Sequence, residues 1–508
     1  MEKNVRVRFA PSPTGGLHLG GVRTVLYNYL FAKKHKGSFI VRIEDTDQNR
    51  FVEGAEEYIF ETLKWCGIEP DESILKPGKF GPYRQSERKE RYKKYALQLV
   101  EKGLAYYAFD TPAELDAMRV QLRSEENPSP QYDHSVRMKM KNSLSLSPDE
   151  VQSLLNAQTP YVIRIKMPEE ETISFHDMIR GEVSFETSTV DDKVLLKADG
   201  MPTYHLAVVV DDFEMEISHA FRGEEWLPSA PVHILLWKYL FGEDKMPEWA
   251  HLPLILGPNG KLSKRDGAKY GFPVFAMNWK DPKTGETTEG FRERGFLPEA
   301  FINLLAMLGW NDGTEKEIYS LDELVQSFSI DKVHKSGAKF DFEKAKWFNH
   351  EWIKKLPASA YVQAVKQNLA LKGIEITDET YLEKIIELVK DRCTLLTEFY
   401  EHSHFFFKAP VEWDLASVKP KWNDQKSEFF KSFIQSLASL GNFSPLGMEE
   451  LFKQSATQAG IKPGELQLPL RIMLVGGKFG PPVFDIAAML GKEETMARIE
   501  KAIPAFNN

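Results

Sequence analysis

The sequence predicts an α/β body on a parallel sheet, interrupted by an α+β insertion and followed by a helical second half. Three observations predict it. A strand–helix–strand unit fills the first fifty residues, and its alternation returns from Val194 after a stretch of mixed character. Beyond Phe296-Leu297-Pro298 the pattern turns helical nearly to the end. At 508 residues the chain exceeds one ordinary core, so several domains are expected.

Val5 to Phe9 alternates as a strand does, and Leu19 to Lys34 places Leu19, Val22, Leu26, Tyr29 and Leu30 on one helical face. Ser38 to Ile43 reads as a second, buried strand ending in Glu44-Asp45-Thr46-Asp47. Strand, helix and strand within some forty residues form a βαβ unit, hence a parallel sheet. Ligands of such sheets sit at the carboxyl ends of the strands. That rule sets Arg8 to Ser12 and Glu44 to Asp47 on one rim, although four polar residues after a strand could also be a helix cap. Between the strand and the first helix lies Ala10-Pro11-Ser12-Pro13-Thr14-Gly15-Gly16-Leu17-His18, with Gly20 and Gly21 just inside the helix. A helix start offers unpaired N–H groups to an anion and glycine permits close approach, so the stretch reads as a phosphate site.

A helix is expected from about Gly54 to Gly67, and another, opened by Arg84-Gln85-Ser86-Glu87-Arg88, to about Gly103. Residues 105–195 mix short strands such as Pro160 to Lys166 with a polar stretch that includes Glu125, Glu126 and Asn127, as an inserted module would. Alternation resumes with Val194-Leu195-Leu196, an apolar segment from Thr203 to Val210, a strand into loop into helix at Ile217 to Trp226, and an apolar strand from His251 to Leu256. The basic loop Lys261-Leu262-Ser263-Lys264-Arg265 follows. Helices are then expected over Glu299–Leu308, Ser320–Phe328, Tyr381–Phe399, Lys426–Leu440 and Met448–Ala459.

Hydrophobic residues at 42% and charged residues at 27% are ordinary for a globular protein. No apolar run reaches the length of a membrane helix, and Met1 to Arg6 holds no apolar leader, so a cytoplasmic protein is expected. Two cysteines, Cys66 and Cys393, exclude a disulfide framework and a Cys-rich zinc site. The net charge of −9 speaks against a nucleic-acid partner, but its distribution does not. Residues 1–50 and 331–372 each carry nine Lys or Arg against four acids. Such stretches suit a face turned to a polyanion, and charge alone fits solvated helix faces equally well.

Neither His18 nor the basic loop is specific evidence by itself. Together with their surroundings they are. Pro11 to Gly20 resembles the HIGH-type signature of class I aminoacyl-tRNA synthetases, and Lys261 to Arg265 looks like their KMSKS motif. Arg42 to Asp47, Gly81 to Arg88, Arg222 to Trp226, Gly295 to Ala300 and Leu468 to Arg471 resemble the glutamyl-tRNA synthetases of bacterial type. The resemblance spans essentially the whole chain. It implies a Rossmann-like catalytic domain in two halves (1–104 and 196–256), a connective insertion (105–195), and then two all-α parts, a stem-contact domain with the KMSKS-like loop (257–340) and an anticodon-binding region (341–508).

The activity implied is ATP-dependent ligation of L-glutamate to the 3′ end of tRNA(Glu) through glutamyl-adenylate, in a family where activation generally needs bound tRNA. His18, Lys261, Ser263 and Lys264 are the implied catalytic residues. Pro11, His18, Gly20, Gly21 and Lys264 would meet ATP, which brings its Mg²⁺. Arg8, Ala10, Ser12, Glu44, Tyr204 and Arg222 would bind glutamate, the arginines forking carboxylates and Glu44 taking the ammonium. Asp47 and Arg392 would meet tRNA, Arg392 at the last anticodon base. A monomer is the expected form.

Four departures from the family pattern stand out. Gly21 stands where the fuller H-x-G-H form has a second histidine. Val208 replaces a polar Asn of some relatives. The module around Ala105 to Ala108 lacks the zinc-binding cysteines of some members, so no zinc is expected. Asn278 to Thr288 looks like an extra loop. The alternatives are an enzyme that also glutamylates tRNA(Gln), a tRNA-binding paralogue without catalysis, and a small-molecule nucleotidylyltransferase. The intact His18, Lys264, Arg8 and Glu44 oppose the second, and the long helical half opposes the third.

Overall fold

In the computed structural model, which describes residues 4–125 and 127–507, the chain opens with β1 (Arg6–Phe9), buried at every position. Met1 to Lys3, read above for the absence of a leader, and Glu126 of the polar stretch lie outside the described residues. β1 runs parallel to β2 (Ser38–Val41), with Val7 opposite Phe39 and Phe9 opposite Val41. The helix Leu19–Lys34 makes the crossover, buries Leu19, Val22, Leu26 and Leu30, and places Lys33 and Lys34 at its negative end.

The expected insertion folds around an antiparallel sheet of β3 (Ala105–Ala108), β4 (Val162–Ile165) and β7 (Val194–Leu196), in the order β3-β4-β7. Its other hairpin, β5 (Thr172–Asp177) with β6 (Gly181–Glu186), takes a place the sequence did not suggest. β8 (His219–Gly223) and β9 (Glu248–Leu252) pair in parallel, and β5 joins β9 in parallel through Asp177 opposite Trp249. One sheet therefore runs β6-β5-β9-β8. At its other edge Ser218 N donates to Arg6 O (2.9 Å) and Arg6 N to Ser218 Oγ (2.7 Å), which sets β1 beside β8.

Several expected elements differ in detail. The apolar segment after Thr203 is the helix Tyr204–Glu214, buried without a break from Leu206 to Asp212. An element buried all round shows neither helical nor strand periodicity, which is why its type was illegible. The single strand expected from His251 to Leu256 is divided at Pro253, whose ring cannot donate to a ladder. β10 (Ile255–Gly257) then turns back on β11 (Gly260–Lys261). The basic loop is not a loop throughout: Lys261 ends β11 and Lys264 begins the helix Lys264–Tyr270.

The extra segment at 278–288 is also folded, as a hairpin of β12 (Trp279–Lys280) and β13 (Thr287–Thr288). Trp279 is its buried root. It meets Tyr58 edge-on at 5.2 Å, and a Cβ on Gly16 would lie 2.9 Å from its Cγ. β14 (Ala338–Lys339) adds a parallel partner to β10. The stretch 257–340, expected to be all-α, therefore combines helices such as Pro298–Met307 and Leu321–Ser327 with short strand pairs.

The chain divides into two compact units, one reaching to Glu293 and including Phe301–Phe342, the other comprising Arg294–Ala300 and everything from Glu343. The second unit is built of helices, among them Val362–Leu371, Glu379–Val389, Asp424–Ala438, Pro445–Gln458, Pro463–Val475 and Lys492–Asn507. The helix expected over Tyr381–Phe399 breaks after Val389. Glu398 accepts from the backbone N–H of Thr394 (2.7 Å) and Leu395 (3.2 Å), so side-chain bonds replace helical ones at the break. Among the described residues no helix is long and apolar enough to cross a membrane.

Candidate active site

The carboxyl ends of β1, β2, β8 and β9 open on one cavity of about 660 Å³, as expected for a parallel sheet. Backbone bonds bring the loops together there. Arg42 N donates to Phe9 O (3.0 Å), Glu44 N to Pro11 O (2.9 Å) and Val52 N to Pro13 O (3.0 Å). Arg8, Ala10, Ser12, His18, Gly20, Gly21, Glu44, Asp47, Tyr204, Arg222 and Lys261 all line the cavity. These are eleven of the residues singled out from the sequence, drawn from five separate stretches of it.

Two arginines on this wall are held in opposite ways. Arg8 Nε donates to both oxygens of Asp212 (3.0 and 3.2 Å), and its Nη1 donates to Phe221 O (3.2 Å). Asp212 also accepts from Arg42 Nη1 at 2.9 Å. Burial works to raise the Asp212 carboxyl, but Arg8 and Arg42 hold it below the usual carboxylate range. Arg222 has no carboxylate partner among the described residues. Its Nε donates to His251 Nε2 (2.9 Å), and its Nη1 donates to His233 Nδ1 (2.9 Å) and the Tyr204 hydroxyl (3.2 Å). Its Nη2 is buried and without a hydrogen-bond partner.

Glu44 stands between these groups, accepting from Arg42 Nη2 at 3.1 Å. Burial pushes its carboxyl up to about 7, against the pull of Arg42 and Arg8. Val208, buried in the same wall, contributes an apolar surface.

His18 is the N-terminal flanking residue of the first helix, extended at φ −75° and ψ 156°, and it caps nothing with its ring. Its Nε2 is buried and unpartnered. Burial, then Lys264 and Lys261, lower its pKa to about 4, so the ring is neutral at pH 7. Gly20 fronts open space, whereas a Cβ on Gly21 would lie 2.6 Å from Leu17 Cδ1. Gly21 therefore serves helix packing as well as the cavity.

Four of the expected residues lie off the lining. Pro11 is buried behind the rim and contributes the carbonyl that Glu44 N meets. Ser263 caps the helix Lys264–Tyr270 in a reciprocal capping box with Asp266, its Oγ donating to Asp266 Oδ2 at 2.6 Å. Lys264 is exposed, with Nζ 4.9 Å over the ring of Phe275. Phe275 in turn bridges to the backbone of His18, and its ring meets the imidazole edge-on at 6.1 Å. Lys261, by contrast, reaches Glu225 at 3.0 Å on the cavity wall. Arg392 belongs to the second unit, where it is exposed in the turn Lys390–Arg392.

Sequence reading missed Lys197, Asn49, Arg50 and Trp226 as lining residues. Trp226 lies against Tyr204 with ring centroids 4.3 Å apart, and Lys197 Nζ donates to Thr46 O at 2.9 Å. Trp226 was within a stretch already singled out, four residues after Arg222. Lys197 carried no local signal. Among the described residues no group of three or more His, Cys, Asp or Glu side chains is arranged to hold a metal ion.

Comparison with known proteins places the chain in a family. The model of the class I tRNA synthetases (E and Q), catalytic domain, matches residues 4–347, and that of an anticodon binding domain matches residues 349–503. A glutamate–tRNA ligase of Flavobacterium psychrophilum is 54% identical over 506 residues, 99% of each chain. One from Amoebophilus asiaticus is 50% identical over 505 residues, 99% of this chain and 98% of the relative. The crystal structure of a glutamate tRNA ligase from Elizabethkingia meningosepticum in complex with its amino acid superposes with a TM-score of 0.93 at 49% identity, covering 99% of this chain and 100% of that one.

Proposed function

The chain belongs to the class I tRNA synthetases of the glutamate and glutamine group, and on that footing we propose that it ligates L-glutamate to the 3′ end of tRNA(Glu) through glutamyl-adenylate. The observation that carries the reading is one cavity lined by His18, Glu44, Arg8 and Arg222. A substrate with two carboxylates and one ammonium calls for two guanidiniums and one carboxylate, and a nucleotide beside it calls for a helix start free of side-chain bulk.

In the first step a carboxylate oxygen of glutamate attacks the α-phosphorus of ATP, which enters with its Mg²⁺, and the bond to the leaving pyrophosphate breaks. In the second, the terminal 2′-hydroxyl of tRNA attacks the acyl carbon and AMP leaves with the bonding electrons. Charge is repositioned in the first step, so catalysis is mainly placement and neutralisation. His18, neutral at pH 7, donates a hydrogen bond from Nε2 to phosphate. Gly20 leaves the ribose and phosphates room. Lys264, carried on the first turn of a short helix next to a hairpin, swings from Phe275 to the phosphates when ATP arrives, with Lys261 beside it and Ser263 holding the turn. Glu44 accepts the ammonium of glutamate, Arg8 and Arg222 take its carboxylates with Tyr204, and Ala10 and Ser12 line the pocket between. Asp47, on the same rim, faces the arriving tRNA end. A monomer acting in the cytoplasm completes this reading.

Exchange of labelled pyrophosphate into ATP tests the reading. Exchange that requires glutamate and rises on addition of tRNA(Glu) is the expected result. No exchange with glutamate, with or without tRNA, would overturn it.

A further inference from the structure

Arg222 is surrounded by acceptors that carry no charge. A guanidinium only donates, so the ring nitrogens it reaches must be lone pairs. His251 Nε2 therefore accepts from Arg222 Nε at 2.9 Å, and its proton lies on Nδ1, which donates to Asp177 Oδ2 at 2.6 Å. His233 Nδ1 likewise accepts from Arg222 Nη1 at 2.9 Å, which puts its proton on Nε2, 3.1 Å from His205 Nδ1. Each imidazole is thereby fixed in one neutral tautomer. Asp177 is satisfied without approaching the guanidinium, by the N–H groups of Ile179 (3.0 Å), Arg180 (2.9 Å) and His251 (3.1 Å) as well as by the His251 ring. The ring of Trp249 covers one face of Arg222 at 4.9 Å. The nitrogen left over is Nη2, buried and unpartnered on a cavity wall.

We infer that His251, His233 and His205, anchored by Asp177, are positioning residues that hold Arg222 as an un-neutralised cation and thereby set the preference for a substrate carboxylate over a carboxamide. The inference rests on the glutamate-ligating reading above. Arg8 is less suited to the same discrimination, because it already pairs with Asp212, a carboxylate it shares with Arg42. At Arg222 a carboxylate completes a buried ion pair, whereas a neutral amide leaves the guanidinium charge uncompensated. His251 and His233 matter because they stand where most buried arginines have a carboxylate. Asp177 shows how the array is built: it stands in β5, and the parallel pairing of β5 with β9 brings it to His251.

The test is tRNA-dependent pyrophosphate exchange with glutamate and with glutamine for the full chain carrying His251→Leu, His233→Leu, His205→Phe or His251→Gln. The Leu variants remove one acceptor from a charged donor, so KM for glutamate rises about 10–100-fold while kcat and KM for ATP stay within about twofold. The ratio of glutamate to glutamine specificity constants falls by about tenfold or more. His205→Phe, one bond further out, gives a smaller shift of the same sign, and His251→Gln, which keeps an acceptor, recovers most of the loss. If a Leu variant does not fold, His205→Phe and His251→Gln still decide the matter through the same two readouts. Unchanged glutamate KM and unchanged glutamine discrimination would overturn the inference, as would equal losses in every kinetic constant. Wild-type protein that fails to activate glutamate would instead overturn the functional reading itself.

Discussion

The ammonium of Lys264 rests 4.9 Å above the ring of Phe275, one aromatic ring away from His18. A cation over a ring is held by roughly 0.5–2 kcal/mol, enough to park a lysine and little enough to release it to a phosphate. Lys264→Ala is expected to lower the rate of pyrophosphate exchange about 10²–10³-fold with little change in KM for glutamate, since it removes charge needed only as pyrophosphate departs. Because Lys264 is exposed, thermal stability should hardly move. Exchange near the wild-type rate would remove Lys264 from the chemistry.

Gly20 separates stability from function. It lies inside the first helix, where glycine is less favourable than alanine by about 1 kcal/mol, and a Cβ there meets nothing within 4 Å. Gly20→Ala should therefore raise the melting temperature slightly. The added methyl points into the space assigned to the nucleotide, so KM for ATP should rise about tenfold. A stabilised variant with unchanged KM would place the nucleotide elsewhere.

The raised pKa of Glu44 makes a pH prediction. In the free protein burial lifts the carboxyl to about 7, and only its ionised form accepts an ammonium. As pH falls through 7, a growing fraction of Glu44 is protonated and glutamate binds more weakly. KM for glutamate should be about tenfold higher at pH 6 than at its plateau above pH 8. Glu44→Gln should raise KM and abolish that slope. A wild-type KM that is flat from pH 6 to 8 would show that Glu44 does not hold the ammonium.

Much of this site was legible because its parts sit in local signals. The strand ending at Phe9, the helix starting at Leu19 and the acidic end of β2 each announced themselves, and the rule for parallel sheets joined them. Legibility failed where tertiary contacts decide. The helix Tyr204–Glu214 is apolar all round, so no periodicity marked it. The array behind Arg222 unites residues as far apart as Asp177 and His251, and nothing in the sequence signals that a hairpin of the insertion pairs with β9. The basic stretch at Lys261 to Arg265 looked like a loop because the capping of its helix depends on Asp266, one residue beyond the motif.

Arg392 marks the break after the helix Glu379–Val389, exposed and close enough to Arg471 that its charge, after burial, helps depress the Arg471 pKa. Arg471 Nη1 donates to the carbonyls of Phe479 (3.1 Å), Gly480 (3.1 Å) and Pro481 (2.6 Å), so a fixed guanidinium stands beside an exposed one. If Arg392 reads the last anticodon base, Arg392→Gln should narrow the ratio of tRNA(Glu) to tRNA(Gln) charging by about tenfold, the worth of one hydrogen bond to a charged group. Pyrophosphate exchange at saturating tRNA should be unchanged. Unaltered tRNA selectivity would refute the assignment.

The most direct measurement is aminoacylation with the purified chain, purified tRNA(Glu) and tRNA(Gln), and labelled glutamate or glutamine. The account predicts acid-precipitable glutamate on tRNA(Glu), dependent on ATP, with no transfer of glutamine to either tRNA. Glutamate on tRNA(Gln) as well would establish the wider specificity and leave the chemistry intact. Absence of ATP-dependent glutamyl transfer to any tRNA would contradict the account at its centre.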